Sequence, residues 1–424
     1  MWHVSSFARA QRRGGLAAIA LGLCAIALAV PCAAQTFQTL YSFPGDASQG
    51  ALIYKGVTLD TSGNAYGTAA LGVNNCPDSI DSDFGCGSVF QLSATNKLNL
   101  LVTFKGPNGA SPSGNLTLKG TNLYSTTPLG GANNDGTLFE VRTDGTHFKL
   151  LHQFDGTDGD GPGTLPVFDK TGDLFSTTPY GGPAFTGPQT GFGVLYEFTK
   201  VGNYIVDHDF SGGTDGGQPE RPVMDKSGNI YAGTQIGGSC DSSSSGCGVV
   251  FEYTPSTGNF QVLHTFATLD GSAPAISGID SKGNILGISF SGGANGDGTL
   301  WELTPKQGGG YNYKKLWDFT GGADGSNPYT PQLTPGDVLY GASIFGGTDG
   351  YGVLWSFARK TGVVQLHSFS GSDGAFPSGT PVINKSGAVI GTTRDGGSAS
   401  SCTTTWDAQI DTVFGCGTIF SYQP

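Results

Sequence analysis

An all-β chain folded as a seven-bladed β-propeller, in four-stranded repeats of about 50 residues, is predicted by three features of the sequence. One string of motifs returns seven times, anchored on Phe43, Phe104, Phe154, Phe210, Phe266, Phe319 and Phe369, with spacings of 50 to 61 residues. Each unit holds four short apolar stretches separated by Gly-rich corners. Composition opposes helix, because 71 Gly and 22 Pro leave no window with a sustained 3.6-residue apolar period. A parallel β-helix is disfavoured, since its coils are shorter and need no antiparallel hairpins closed by Asp-Gly.

The elements follow in a fixed order. A short apolar strand ends in the anchor Phe. Next comes a turn carrying Asn108-Gly109, Asp158-Gly159, Asp215-Gly216, Asp270-Gly271, Asp324-Gly325 or Asp373-Gly374, pairs that tolerate the positive φ of tight turns. A second strand reaches a D-x-x-G-N/D turn at 60–64, 169–173, 225–229 and 280–284. The third strand reads NAYGT at 64–68 or NIYAGT at 229–234, and it enters a Gly-Gly corner and a loop closed by G-x-G. A fourth strand ends the unit, as in GTLFEV (136–141), GVVFEY (248–253) and GTLWEL (298–303). The array begins with a lone first strand (36–43) and finishes on a fourth strand (417–422). Pairing of the N-terminal strand into the last blade therefore closes the ring and leaves no open edge.

This motif order resembles the GloVer tandem repeat of secreted bacterial proteins over about residues 36–424. The Gly-Gly corner is also similar to kelch units, and D-x-x-G-N-x-Y-x-G-T resembles blades of regulator-type propellers. The resemblance implies a propeller and export, and carries no activity onto particular positions. Two turns depart from the pattern, Lys119-Gly120 in the second repeat and Thr334-Pro335-Gly336-Asp337 in the sixth.

Residues 1–34 read as an export signal, with Arg9, Arg12 and Arg13 before an apolar run at 16–30 and Cys32-Ala33-Ala34 as a cleavage site. Residues 35–424 then form one propeller domain. No further segment suits a membrane span, and no sorting tail is expected after the last strand. Removing three of the 21 basic residues and none of the 33 acidic ones takes the net charge from −12 to 18 − 33 = −15. So acidic a chain, without a Lys/Arg cluster, argues against nucleic acid or anionic membranes as partners.

The six cysteines past the signal fall in three local pairs, Cys76 with Cys86, Cys240 with Cys247 and Cys402 with Cys416. All lie between the Gly-Gly corner and G-x-G, and an exported chain with this clustering predicts three loop disulfides. Metal binding is the rival, but no pair has a second pair or a His near it. The second, fifth and sixth repeats use minimal loops there (GGANNDG, GGANGDG, GGTDGYG), whereas the first, third, fourth and seventh carry insertions. Insertions at one repeat position must emerge on one face of the ring.

Candidate ligand contacts sit on the first and seventh loops: Asp78, Asp81, Asp83 and Phe84 beside Trp406, Asp407 and Asp411. Aromatic faces stack on sugars while carboxylates accept hydroxyl or amine donors. Asp78, Asp81 and Asp83 are close enough to share a Ca²⁺, although their spacing is not that of an EF-hand; no cofactor is otherwise expected. His152, His208, His264 and His367 occupy one column two residues before the anchor, on the face expected to pack against the next blade. Glu140, Glu197, Glu252 and Glu302 share another repeat position and are expected to be structural.

No nucleophile elbow or H-E-x-x-H pair occurs. The G-x-G strings lead into strands, where no helix N-terminus can hold a phosphate. The expected function is that of a secreted, monomeric, non-enzymatic propeller, periplasmic or extracellular, that binds a glycan, peptide or cell-surface partner through its stiffened loop face. The alternatives are an extracellular carbohydrate-active hydrolase or lyase using Asp78, Asp81, Asp407 or Asp411, and an envelope scaffold.

Overall fold

The computed structural model describes residues 35–44, 49–72, 76, 85–240, 246–398 and 415–424. The export signal read at 1–34 lies outside them. No described residue is helical, and the described chain forms seven antiparallel sheets arranged as the blades of a propeller. The fifth blade shows the plan from the axis outward: Ser272–Ile279, Ile285–Ser291, Thr299–Pro305 and Tyr311–Asp318. The blades are offset by one strand from the sequence repeats, because each anchor strand is the outermost strand of the preceding blade. Closure follows from this offset. Thr36–Ser42 pairs antiparallel with Thr418–Gln423 as the outer strand of the seventh blade.

The core lies between blades, and the seven anchors hold it together. Each anchor Phe is at most 3 % exposed. Each meets the central aromatic of the next blade's third strand, as Phe43 with Phe90 at 5.4 Å, Phe266 with Trp301 at 5.3 Å and Phe369 with Phe420 at 5.2 Å between ring centroids. A buried Phe contributes about 1.5 to 3 kcal/mol relative to exposure. Seven of them, each against an equally buried central aromatic, make these ring pairs a recurring apolar contribution between blades.

The histidine column packs where the alternation placed it. His152, His208, His264 and His367 stack on Tyr204, Phe260, Tyr313 and Phe37 of the neighbouring outer strand, with centroids 3.7 to 4.4 Å apart. Each Nε2 also meets the aspartate of its own Asp-Gly turn, from 2.7 Å for His152 with Asp158 to 3.3 Å for His264 with Asp270. Trp317 does the same through its indole N–H, which donates to Asp324 at 2.9 Å. The Asp in these turns thus does more than permit a backbone conformation, because it ties the turn to the ring that fills the blade interface.

The D-x-x-G turns are capped by their first residue. Asp60 Oδ1 accepts from the amides of Ser62 and Asn64, and Asp280 Oδ1 from those of Lys282 and Asn284. In the sixth repeat Thr334 takes this role, its Oγ1 accepting from Val338 N at 3.1 Å. The second repeat uses a tighter hairpin, with Lys119 directly opposite Asn122. The glutamates at the shared position are hydrogen-bonded to neighbours in two blades, Glu252 accepting from Tyr231 at 2.9 Å and Glu302 pairing with Arg359.

Candidate functional site

Antiparallel pairing puts the Gly-Gly to G-x-G connections and the Asp-Gly turns on one edge of the ring, and the D-x-x-G turns on the other. The corners at which the insertions occur therefore lie on the same edge as the Asp-Gly turns. Two of the predicted disulfides, Cys76–Cys86 and Cys240–Cys247, are present there and tie each loop back to its G-x-G. Cys416 is buried at the same G-x-G position. Cys402 lies outside the described residues, as do all seven predicted ligand contacts: Asp78, Asp81, Asp83, Phe84, Trp406, Asp407 and Asp411. Among the described residues no three His, Cys, Asp or Glu side chains gather as a metal site, and no helix is long and apolar enough to cross a membrane. Disulfides of this kind are consistent with an extracytoplasmic location.

The G-x-G motif has a second task that the sequence reading did not assign. Its middle carbonyl accepts the amide of a residue in the next blade's inner strand: Cys86 O from Ser111, Asp135 O from Gly161, Phe192 O from Gln218, Cys247 O from Ala273, Asp297 O from Asn327 and Tyr351 O from Phe376. Five of those six donors are not glycine yet hold φ between 52° and 54°, a left-handed conformation that costs non-glycine residues about 1 kcal/mol or more each. The residue after each donor is proline, and its ring lies against the second glycine of the preceding G-x-G. A Cβ on Gly298, for example, would stand 2.7 Å from Pro328 Cδ. The signal was legible, since Pro112, Pro162, Pro219, Pro274, Pro328 and Pro377 recur at one offset from the Asp-Gly turns.

Two groups on the loop-bearing edge have chemistry to offer. The first is aromatic. Phe290 and Phe345 are 37 % and 42 % exposed at the ends of their strands. Phe345 packs edge-on to Phe376 at 5.6 Å, Tyr351 lies 5.9 Å from the same ring, and the Arg394 guanidinium sits 5.2 Å over it while its Nε donates to Asp395. The second group is acidic and enclosed. Asp135 and Asp160 are 6 % and 3 % exposed beneath the third blade's insertion, and Gln189 N of that insertion donates to Asp160. Burial, reinforced by the charges of Asp160, Asp155 and Asp158, pushes Asp135 up to about 6. Both carboxylates are buried away from the surface of the edge, and Asp160 helps to hold the insertion down.

On the opposite edge, grooves run between blades. The one between the fourth and fifth blades has a volume of about 640 Å³ and is lined by Asp225, Tyr231, Asp280 and Tyr311 among others. That between the second and third, lined by Lys119, Glu140, Phe168 and Lys200, is about 470 Å³.

The axis itself is nearly filled. Inner strands from six blades converge on a cavity of about 50 Å³ whose lining includes Lys55, Asn115, Glu220, Arg221, Thr330 and Thr380. In the fourth and sixth blades the inner strand is broken there, into Gly217–Pro219 with Val223–Met224 and Ser326–Pro328 with Gln332–Leu333. Pro222 and Pro331 supply the reason, because neither has an N–H to give to the ladder.

Comparison with known proteins agrees with this architecture. The Gloeobacter/Verrucomicrobia repeat model matches residues 78–277 and again 236–424. No curated protein matches the chain. Among solved structures, an oligogalacturonate lyase from Vibrio parahaemolyticus is 11% identical, with a TM-score of 0.54 over 92% of this chain and 96% of its own. The extracellular domain assigned to a hybrid two-component system of B. thetaiotaomicron is 12% identical, with a TM-score of 0.52 over 92% of this chain and 41% of its own. A gluconolactonase from Xanthomonas campestris is 10% identical, at a TM-score of 0.44 over 92% of this chain and 89% of its own. At such identities the first two likenesses are of fold alone. The two repeat matches together span residues 78–424, and the chain belongs to the Gloeobacter/Verrucomicrobia repeat family.

Proposed function

We propose that this propeller is an exported binding protein whose loop-bearing edge captures a glycan or a peptide of a cell-surface partner. The observation that carries the reading is that the long insertions of the first, third, fourth and seventh repeats all fall at the corner on this one edge, which also carries the exposed Phe290 and Phe345. A rigid ring presenting variable loops is a common arrangement for recognition. Half-exposed aromatic rings supply stacking area at small entropic cost, and the Arg394–Asp395 pair supplies polar selection at their rim.

The test is a glycan and peptide array probed with the full chain as it matures, with and without calcium. Binding to a defined ligand is expected to fall at least about tenfold in Phe345→Ala, and again when the first and seventh connections are cut back to the minimal corner. Retention of full binding in both variants would sink the loop-edge reading. Turnover of a polysaccharide that disappears in Asp411→Asn would instead establish the hydrolase or lyase alternative.

A second reading rests on the groove between the fourth and fifth blades, the larger of the two described, whose ligand-sized space is lined by Tyr231, Tyr311, Asp225 and Asp280, the Tyr231 hydroxyl donating to Asp225 at 3.3 Å. Loss of binding in Tyr311→Ala with Phe345→Ala unaffected would favour it.

A further inference from the structure

We propose that the axial cavity is a binding site for one small oxyanion, a carboxylate end group or an inorganic oxyanion, held by Arg221 with Lys55 as the second cation. This site is separate from the loop edge and does not rest on the reading above. Arg221 stands at the break in the fourth blade's inner strand, one residue before Pro222. It lines the cavity, makes no hydrogen bond among the described residues, and its Nε is closed off from solvent without a partner. The nearest counter-charge is its sequence neighbour Glu220, whose Oε1 is already engaged by Gln235 Nε2 at 2.8 Å. Arg221 as a whole keeps partial exposure, and the part of its guanidinium taken out of water is unfavourably placed unless a partner replaces the lost hydration.

The surroundings point to an anion in that role. The cavity wall holds two cations, Arg221 and Lys55, against one carboxylate, in a chain whose net charge is otherwise strongly negative. Thr330 and Thr380 add hydroxyl groups to the same wall, and Asn115 adds an amide whose Nδ2 can donate to an oxyanion, while its Oδ1, buried without a partner, can only accept, from a cation such as Arg221 or from a protonated ligand oxygen. Guanidinium, ammonium, amide and hydroxyl donors converging on about 50 Å³ suit a small oxyanion, with forked donors meeting two oxygens at once. An apolar ligand would leave every one of these groups unsatisfied. Burial also draws the Arg221 guanidinium down to about 10, with Glu220 offsetting little of the effect.

The ring repeat shows that the site is built by substitution at one position. The residue before the second proline is Leu165 in the third blade, Thr330 in the sixth and Thr380 in the seventh, and only the fourth blade places an arginine there. Arg221 is thus not required by the blade architecture.

Isothermal titration calorimetry of the full chain, dialysed free of oxyanions and held at constant ionic strength, tests the proposal with sodium phosphate and sodium acetate as separate titrants. One saturable site per chain is expected. Phosphate binding alone identifies an inorganic oxyanion, acetate alone a carboxylate end group, and both a general oxyanion site. Arg221→Gln is expected to weaken binding at least about tenfold, and Lys55→Gln by a smaller factor. Asn115→Asp, which places a carboxylate in the same cavity, is expected to abolish binding while raising the melting temperature, and it keeps the test open should Arg221→Gln fold poorly. Absence of saturable heat with both titrants, or unchanged binding in Arg221→Gln and Asn115→Asp, would overturn the proposal.

Discussion

His208 and His264 show how one side chain serves both turn and interface. Each is stacked on a ring of the next blade and bonded to the aspartate of its own turn. Burial disfavours the imidazolium, and Asp215 and Asp270 offset this only in part, so both histidines titrate below their ordinary value of about 6.5 in the folded protein. As the pH falls through about 6.5 the unfolded chain takes up these protons and the folded one does not. Their contribution to stability is therefore present above that pH and is lost as the pH drops through the folded-state values. Asp135 and Asp207 act with the opposite sign. Pushed up to about 6 by burial, they bind protons preferentially when folded, and the stability they lend below 3.8 disappears as the pH rises through about 6. A wild-type melting curve mixes the two. The double variant His208→Gln/His264→Gln is expected to lose less stability than wild type between about pH 7.5 and 5.5; equal losses by thermal denaturation would refute the assignment.

At the scale of the element, the central pair of strands follows one rule of size. The residue opposite the central aromatic is small in every blade: Gly67 faces Phe90, Ser125 faces Phe139, Ser176 faces Tyr196, Ala232 faces Phe251, Gly287 faces Trp301, Gly341 faces Trp355 and Gly391 faces Phe420. At Gly287 the reason is direct, because a Cβ there would lie 2.2 Å from Trp301 Cζ2 and 2.5 Å from Ala275 O. Gly287→Ala should destabilise by about 1 to 3 kcal/mol in urea denaturation, the usual cost of overpacking. Adding Trp301→Phe recreates the Ala232–Phe251 pair of the fourth blade and should recover part of the loss. A double variant no more stable than Gly287→Ala would show that the clash with Ala275 O, and hence the inner strand, sets the limit.

For the whole molecule, closure is the decisive feature. Thr36–Ser42 covers the edge of Thr418–Gln423 and brings Phe37 onto His367, so the first residues of the propeller complete its last blade. Deleting residues 36–42 is expected to lower stability by at least about 3 kcal/mol, combining lost strand pairing with a lost ring contact. Hydrogen exchange should then speed up first in Val389–Asp395 and Thr418–Gln423. Unchanged protection of those strands would mean that the ring holds without its clasp.

How much of this was legible beforehand depends on the range of the interaction. Fold class, blade number and the loop disulfides follow from residues near one another in the chain, because the Asp-Gly or Asn-Gly turns of six repeats and the close Cys pairs of three are local signals, and closure follows from the phase of the array, which opens on a first strand and ends on a fourth. The proline that seats on each second glycine was legible too, as a fixed offset, but its purpose required the neighbouring blade. The inter-blade face of the histidine column was legible in the alternation, but the partners were decided by tertiary structure alone: the rings on which the histidines stack, the cluster of Phe345, Phe376 and Arg394, and above all the meeting of Lys55, Asn115, Arg221, Thr330 and Thr380 at the axis. Those five residues are separated by up to 325 positions in the chain. They become neighbours only because seven inner strands must share one axis, and no local pattern records what each strand will find there.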